Sequence, residues 1–150
     1  MFDAVVIGAG PAGISASLYL KRSNKNVLVL YHGPSQLDKA HKVDNYYGFE
    51  NGISGIDLYN AGIKQAQNLG IEVKEEEVLD VKMLDIGKYE VKTLNGSYET
   101  SNVVIATGNK KLRPNIKGLI DFEGKGVSYC AICDGFFFRK KKVVIIGNGN

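Results

Sequence analysis

Apolar positions along the first hundred residues follow two rhythms in turn. Residues 2–7 form a short apolar run containing the β-branched pair Val5-Val6, the pattern of a strand buried in a parallel sheet. Residues 11–21 carry small side chains with Ile14 and Leu18 on one face, which predicts a helix. A second apolar run over 26–31 predicts the next strand and completes a βαβ unit of about thirty residues. Over 33–55 the periodicity is lost among Gly, Pro, Asn and Asp, and a loop of that length is more often functional than idle.

A helical rhythm returns at Ser54. Ser54 and Asp57 have capping-box spacing, Ile56, Tyr59, Ile63 and Ala66 recur at helical intervals, and Gly70 is a natural stop. The period then drops to two, predicting short strands over 71–74, 78–84 and 88–94. Asn95-Gly96 is a hairpin turn leading into 97–100. Residues 102–106 predict another buried strand that ends at Thr107-Gly108. Residues 109–126 look like a surface connection. A last strand is predicted over 142–146, running into Gly147-Asn148-Gly149-Asn150, so the strand–glycine pairing of residues 4–10 returns at 143–149.

Composition changes this picture little. A chain of 150 residues, 44% hydrophobic and 23% charged, fits one ordinary globular domain. Gly, at 18 residues, exceeds the usual ~7% and collects at sharp turns beside apolar runs, as close backbone approach to a ligand requires. A net charge of +3 gives no reason to expect nucleic acid. No run of ~18 apolar residues predicts a membrane span, and no basic, cleavable leader precedes the first strand, so a cytoplasmic protein is expected. In that compartment two cysteines three apart point to catalysis or metal binding.

The candidate chemistry lies in two motifs. Gly8-Ala9-Gly10-Pro11-Ala12-Gly13 matches G-x-G-x-x-G between a strand and a helix. Gly8 permits a tight turn, Gly10 lets the backbone approach a pyrophosphate, and Gly13 lets helix and strand pack closely. The helix N-terminus behind them offers amides and a dipole to the anion. The acid expected about twenty residues on, for the ribose hydroxyl, is missing: that place reads Tyr31-His32.

Cys130-Ala131-Ile132-Cys133-Asp134-Gly135 is the second motif. Two cysteines at this spacing on a helix start can form a small disulfide, and the helix dipole and partner sulfur favour one thiolate. Asp134 is placed to pass a proton to the leaving thiol. The alternatives are half a zinc site or two idle buried cysteines. Zinc needs four ligands, and the two histidines, His32 and His41, lie in a remote loop, so no metal is expected.

Together these motifs resemble the low-molecular-weight thioredoxin reductases along the entire chain. In that family the first glycine motif binds FAD, which implies cofactor contacts at Gly8, Gly10, Pro11, Ala12 and Gly13. A Gln-Leu…Asn-Tyr-x-Gly loop beside the flavin corresponds to Gln36, Leu37 and Asn45 to Gly48. A strand ending Ala-Thr-Gly corresponds to Ala106, Thr107 and Gly108, and Cys-x-x-Cys-Asp-Gly-Phe-Phe corresponds to residues 130–137. The resemblance implies an α/β fold: a Rossmann-like FAD-binding domain over 1–112, with a parallel sheet and an inserted β-meander. The truncated start of a second nucleotide-binding domain, for NAD(P)H, would cover 113–150.

The roles implied are specific. Cys133 would receive electrons from the flavin, Cys130 would attack the thioredoxin disulfide, and Asp134 would be the acid–base group. Phe136 and Phe137 would form a seat for thioredoxin, although ordinary core is an equal reading. NADPH is the implied donor and a homodimer the implied assembly, with neither nucleic acid nor membrane as a partner. Three departures stand out. Gly33-Pro34-Ser35 replaces the usual Gly-Gly pair before Gln36, the second glycine fingerprint is cut at Asn150, and the C-terminal return segment is absent. An N-terminal fragment that binds FAD weakly and does not turn over is therefore expected. Rival readings are a ferredoxin-dependent flavin thioredoxin reductase, a flavin dithiol oxidase and a non-catalytic FAD-binding module.

Overall fold

The computed structural model describes residues 1–109, 114–131 and 135–147. They divide into two compact units, Met1–Gly108 and Asn109–Asn150. In the first unit β1 (Ala4–Ile7) leads through the glycine turn into α1 (Pro11–Arg22), and β2 (Val27–Tyr31) returns parallel to β1. Pro11 at the first helical position and Lys21-Arg22 in the last turn suit the two ends of the helix dipole. α2 (Gly55–Asn68) starts as its spacing predicts: the Ser54 hydroxyl accepts from the Asp57 amide at 3.2 Å. It stops at Gly70, whose φ of +72° is open to glycine at little cost.

Five more strands follow, all within two residues of their expected bounds: β3 (Glu72–Glu75), β4 (Val78–Asp85), β5 (Lys88–Thr93), β6 (Ser97–Thr100) and β7 (Val103–Ile105). The parallel sheet has the order β3-β2-β1-β7, and β4-β5-β6 form an antiparallel meander joined by the Asn95-Gly96 turn. This is the expected α/β class, a parallel sheet with an inserted meander.

Strand alternation makes the sheet the middle layer of three. Val6, Val27 and Val29 face the helices and pack with Ile14, Ala66 and Ile71. Val5, Leu28 and Leu30 face the meander and pack with Val91, Phe2 and Tyr98. Both faces are therefore dry, which is why these runs read as continuously apolar. Each such side chain contributes roughly 1.5–3 kcal/mol on burial.

One predicted element does not form. Residues 142–146 are not a strand, and Val144 and Ile145 are 88% and 86% exposed. No other described strand pairs with them, and an extended segment gains nothing from β-propensity until a neighbour takes its backbone hydrogen bonds. The described regular structure of the second unit includes a 3₁₀ turn at Gly135–Phe138. Among the described residues no helix is long and apolar enough to cross a membrane.

Candidate functional site

From β1 the sheet grows to one side through β2 and β3, and to the other by β7. The carboxyl ends of β1 and β7 thus flank a topological switch point, where open α/β sheets take their ligands. Gly8 leaves β1 there, and Ala106-Thr107-Gly108 leave β7 there. The Ala106 amide donates to the Ile7 carbonyl at 2.8 Å and stitches the two exits together.

The three fingerprint glycines are glycine for different reasons. Gly8 has φ +113°, and a Cβ there would collide with the Ala106 carbonyl oxygen. At Gly13 a Cβ would collide with the Gly8 carbonyl oxygen, so these two positions hold β1, α1 and β7 together. Gly10 has φ −70°, which any residue adopts, and a Cβ there would meet nothing within 4 Å. Its bareness faces open space, as approach by an outside group requires. Behind it α1 has no side-chain cap and no acid in its first turn. Pro11 has no N–H, and the first helical bond runs from the Ile14 amide to the Gly10 carbonyl at 2.9 Å. The Ala12 and Gly13 amides are thereby left for an anion. This cradle fits a dinucleotide pyrophosphate.

The long segment after β2 is more ordered than its sequence implies. The Ser35 hydroxyl accepts from the Leu37 amide at 3.1 Å and caps a 3₁₀ turn at Gln36–Lys39. Val43 and Ile53 exchange backbone hydrogen bonds of 2.7 and 3.1 Å, closing residues 44–52 into a loop that carries Asn45. Gly55 lies so close to the Leu37 carbonyl that no Cβ fits between them, which fixes the 3₁₀ turn on the start of α2.

The resemblance placed Tyr46 in the flavin loop, but sequence reasoning missed Phe49 and the part that Tyr59 plays here. Tyr46 and Phe49 from the loop, Ile14 from α1 and Tyr59 from α2 line a cavity of about 180 Å³ whose wall includes Ala9 and Pro11 of the fingerprint. It is smaller than the ~300 Å³ floor for ligand pockets, so it admits only part of a dinucleotide. Burial pushes the Tyr59 phenol up to about 12, helped by negative charge at Tyr31, Asp38 and Glu75. The helical spacing of Tyr59 signalled only a core position.

At the end of β2 the expected acid is absent, but the neighbouring strand brings acids beside it. β3 runs parallel to β2 with Glu75 opposite Tyr31, and the Glu76 amide donates to the Tyr31 carbonyl at 2.8 Å. Glu77 then lies 3.9 Å from the His32 imidazole.

In the second unit Cys130 is half-buried and is not a free thiol. Its amide donates to the Ser128 hydroxyl at 3.1 Å. Cys133 and Asp134 lie outside the described residues. Phe136 and Phe137 are 71% and 70% exposed and meet edge to face with ring centroids 6.2 Å apart. Arg139 lies over the Phe136 ring at 5.1 Å. Both phenylalanines are surface residues, not core.

The profile of the pyridine nucleotide-disulphide oxidoreductases matches residues 2–150. The chain belongs to that family. Within the family it is similar to the thioredoxin reductase of Ureaplasma parvum, 39% identical over 154 residues, covering 100% of this chain and 48% of that protein. The thioredoxin reductase of Bacillus subtilis is 36% identical over 153 residues, with coverage of 100% and 48%. The crystal structure of a thioredoxin reductase from Streptococcus pyogenes, 35% identical, aligns with a TM-score of 0.82 over 92% of this chain and 45% of that one. These relatives bear out the resemblance to low-molecular-weight thioredoxin reductases. The chain spans about half the length of the curated relatives it matches.

Proposed function

We propose that this chain carries the flavin-binding and dithiol parts of a thioredoxin-disulfide reductase that draws electrons from NADPH. The observation that carries the reading is the Gly8–Gly10–Gly13 cradle at the switch point, in a chain similar throughout to thioredoxin reductases. In it Gly10, Ala12 and Gly13 hold the FAD pyrophosphate, Pro11 sets the helix start, and Ala106, Thr107 and Gly108 line the opposite wall. Gln36, Leu37 and Asn45 border the flavin end. Bound FAD supplies a two-electron carrier between a nicotinamide donor and a disulfide.

The remaining chemistry belongs to the dithiol. The Cys130 thiolate attacks the thioredoxin disulfide, forms a mixed disulfide and releases one thioredoxin thiolate. Cys133 then attacks the Cys130 sulfur, closing the Cys130–Cys133 disulfide and releasing the second thiolate. Asp134 delivers the proton that the leaving sulfur takes up. Exposed Phe136 and Phe137 form an apolar seat for thioredoxin. The working protein is a cytoplasmic homodimer in this reading. These 150 residues alone bind FAD weakly and do not turn over, because association must offset lost freedom with part of the contacts.

A single-turnover exchange tests the proposal. The chain is reduced, desalted and mixed with oxidised thioredoxin. The expected result is one thioredoxin dithiol formed per chain, and none with Cys130→Ser. Equal thioredoxin reduction by that variant, or none by the parent chain, overturns the assignment.

A further inference from the structure

The dinucleotide fingerprint lacks one member in the sequence, and an acid from a neighbouring strand lies beside the vacant place. The missing member is the acid at the end of β2, where the chain reads Tyr31-His32. Such an acid accepts hydrogen bonds from a ribose hydroxyl while the pyrophosphate sits at the glycine turn. We infer that Glu77, reaching in from the end of β3 and held beside His32, supplies that carboxylate and recognises the adenosine ribose. The inference rests on the FAD reading and adds a residue to its site.

Backbone hydrogen bonds set the placement. The Gly8 amide donates to the Leu30 carbonyl at 2.7 Å, tying the glycine turn to the end of β2. The Glu76 amide donates to the Tyr31 carbonyl at 2.8 Å, tying the end of β2 to that of β3. The three carboxyl ends therefore lie side by side, with β3 two strand spacings, about 10 Å, from β1. An adenosine diphosphate lying across them spans from the glycine amides to the far side of β2.

Of the three consecutive acids, Glu77 is the one whose carboxylate lies beside His32 at the end of β2. Both carboxylate oxygens of Glu76 are engaged on the meander, accepting from Thr93 Oγ1 and Tyr98 OH at 2.8 Å each. Glu75 stands opposite Tyr31, whose phenol it helps to hold above its usual range after burial. Glu77 is anchored through its carbonyl, which accepts from the Leu94 amide at 3.3 Å. Its carboxylate is 3.9 Å from His32 Nε2, and both side chains are about half exposed, at 48% and 60%. A carboxylate beside an imidazole, open to solvent, suits a diol and disfavours a ribose that carries a phosphate.

The test compares ADP with 2′-deoxy-ADP, and FAD with FMN, by calorimetric titration of the 150-residue chain to high ligand concentration. The parent chain is expected to bind ADP roughly tenfold more tightly than 2′-deoxy-ADP, and FAD more tightly than FMN. In Glu77→Gln the ADP preference should fall to near unity while affinity for 2′-deoxy-ADP stays the same. His32→Glu added to Glu77→Gln should restore it, because the acid then stands at the end of β2 itself. An undiminished preference in Glu77→Gln overturns the ribose assignment and leaves the FAD reading standing. Failure of the parent chain to bind FAD or ADP at all overturns both.

Discussion

Two segments of this chain are written almost alike. Residues 4–10 and 143–149 each place a β-branched apolar run ahead of a Gly-x-Gly turn. The first glycine of each has a similar left-handed φ, +113° at Gly8 and +107° at Gly147. The runs do not match. Val5 and Val6 are wholly buried between β2 and β7, whereas Val144 and Ile145 stand almost bare in solvent. Equal local propensity therefore yields a strand in one place and none in the other. What differs is the supply of neighbours: β1 has a hydrogen-bonding partner on each edge and a packed layer on each face. Glycine geometry is local, and strand formation is not.

The sharpest way to break that comparison is at the first turn. Gly8→Ala places a methyl group at φ +113° against the Ala106 carbonyl, and Gly13→Ala places one against the Gly8 carbonyl. Each should cost roughly 3 kcal/mol or more in urea denaturation. Gly10→Ala should change stability by less than about 0.5 kcal/mol, since its φ is ordinary and its surroundings are empty. The same Gly10→Ala should weaken FAD binding clearly. Equal destabilisation at all three positions would erase the distinction between packing glycines and a binding glycine.

Truncation of the two runs gives the next largest contrast. Leu28→Ala removes a fully buried side chain on the meander face and should cost about 3 kcal/mol. Ile145→Ser changes an exposed one and should stay within about 0.5 kcal/mol. A large loss at Ile145 would mean that the second run is packed after all.

The smallest expected effect concerns the α2 wall of the candidate site. The Tyr59 phenol is raised from 10.0 to about 12, chiefly by burial. The folded state holds this proton more tightly than the unfolded one. The stability it contributes is therefore fully present below about pH 10 and lost as pH rises through about 12. Melting temperature followed across that window should fall less steeply for Tyr59→Phe than for the parent. Tyr31 and Tyr98 are shifted the same way and should preserve part of the fall. Identical slopes would place Tyr59 in solvent.

Much of the scaffold was legible because its signals are short-range. The Ser54–Asp57 cap, the Gly70 stop, the Asn95-Gly96 hairpin and the alternation of Val5 and Val6 each depend on residues a few positions apart. The candidate site was legible where it is local, at residues 8–13. Phe49 and Tyr59 gave no sign of lining a cavity with Tyr46 and Ile14, because α1, α2 and the loop meet only in space. The order of residues by itself determined where the turns fall and which runs are apolar on both faces. Only the tertiary structure decided that residues 4–7 become a strand while 143–146 do not. It also decided that an acid 45 positions beyond His32 stands beside it. Backbone pairing and side-chain convergence need partners far along the chain, and no local pattern specifies them.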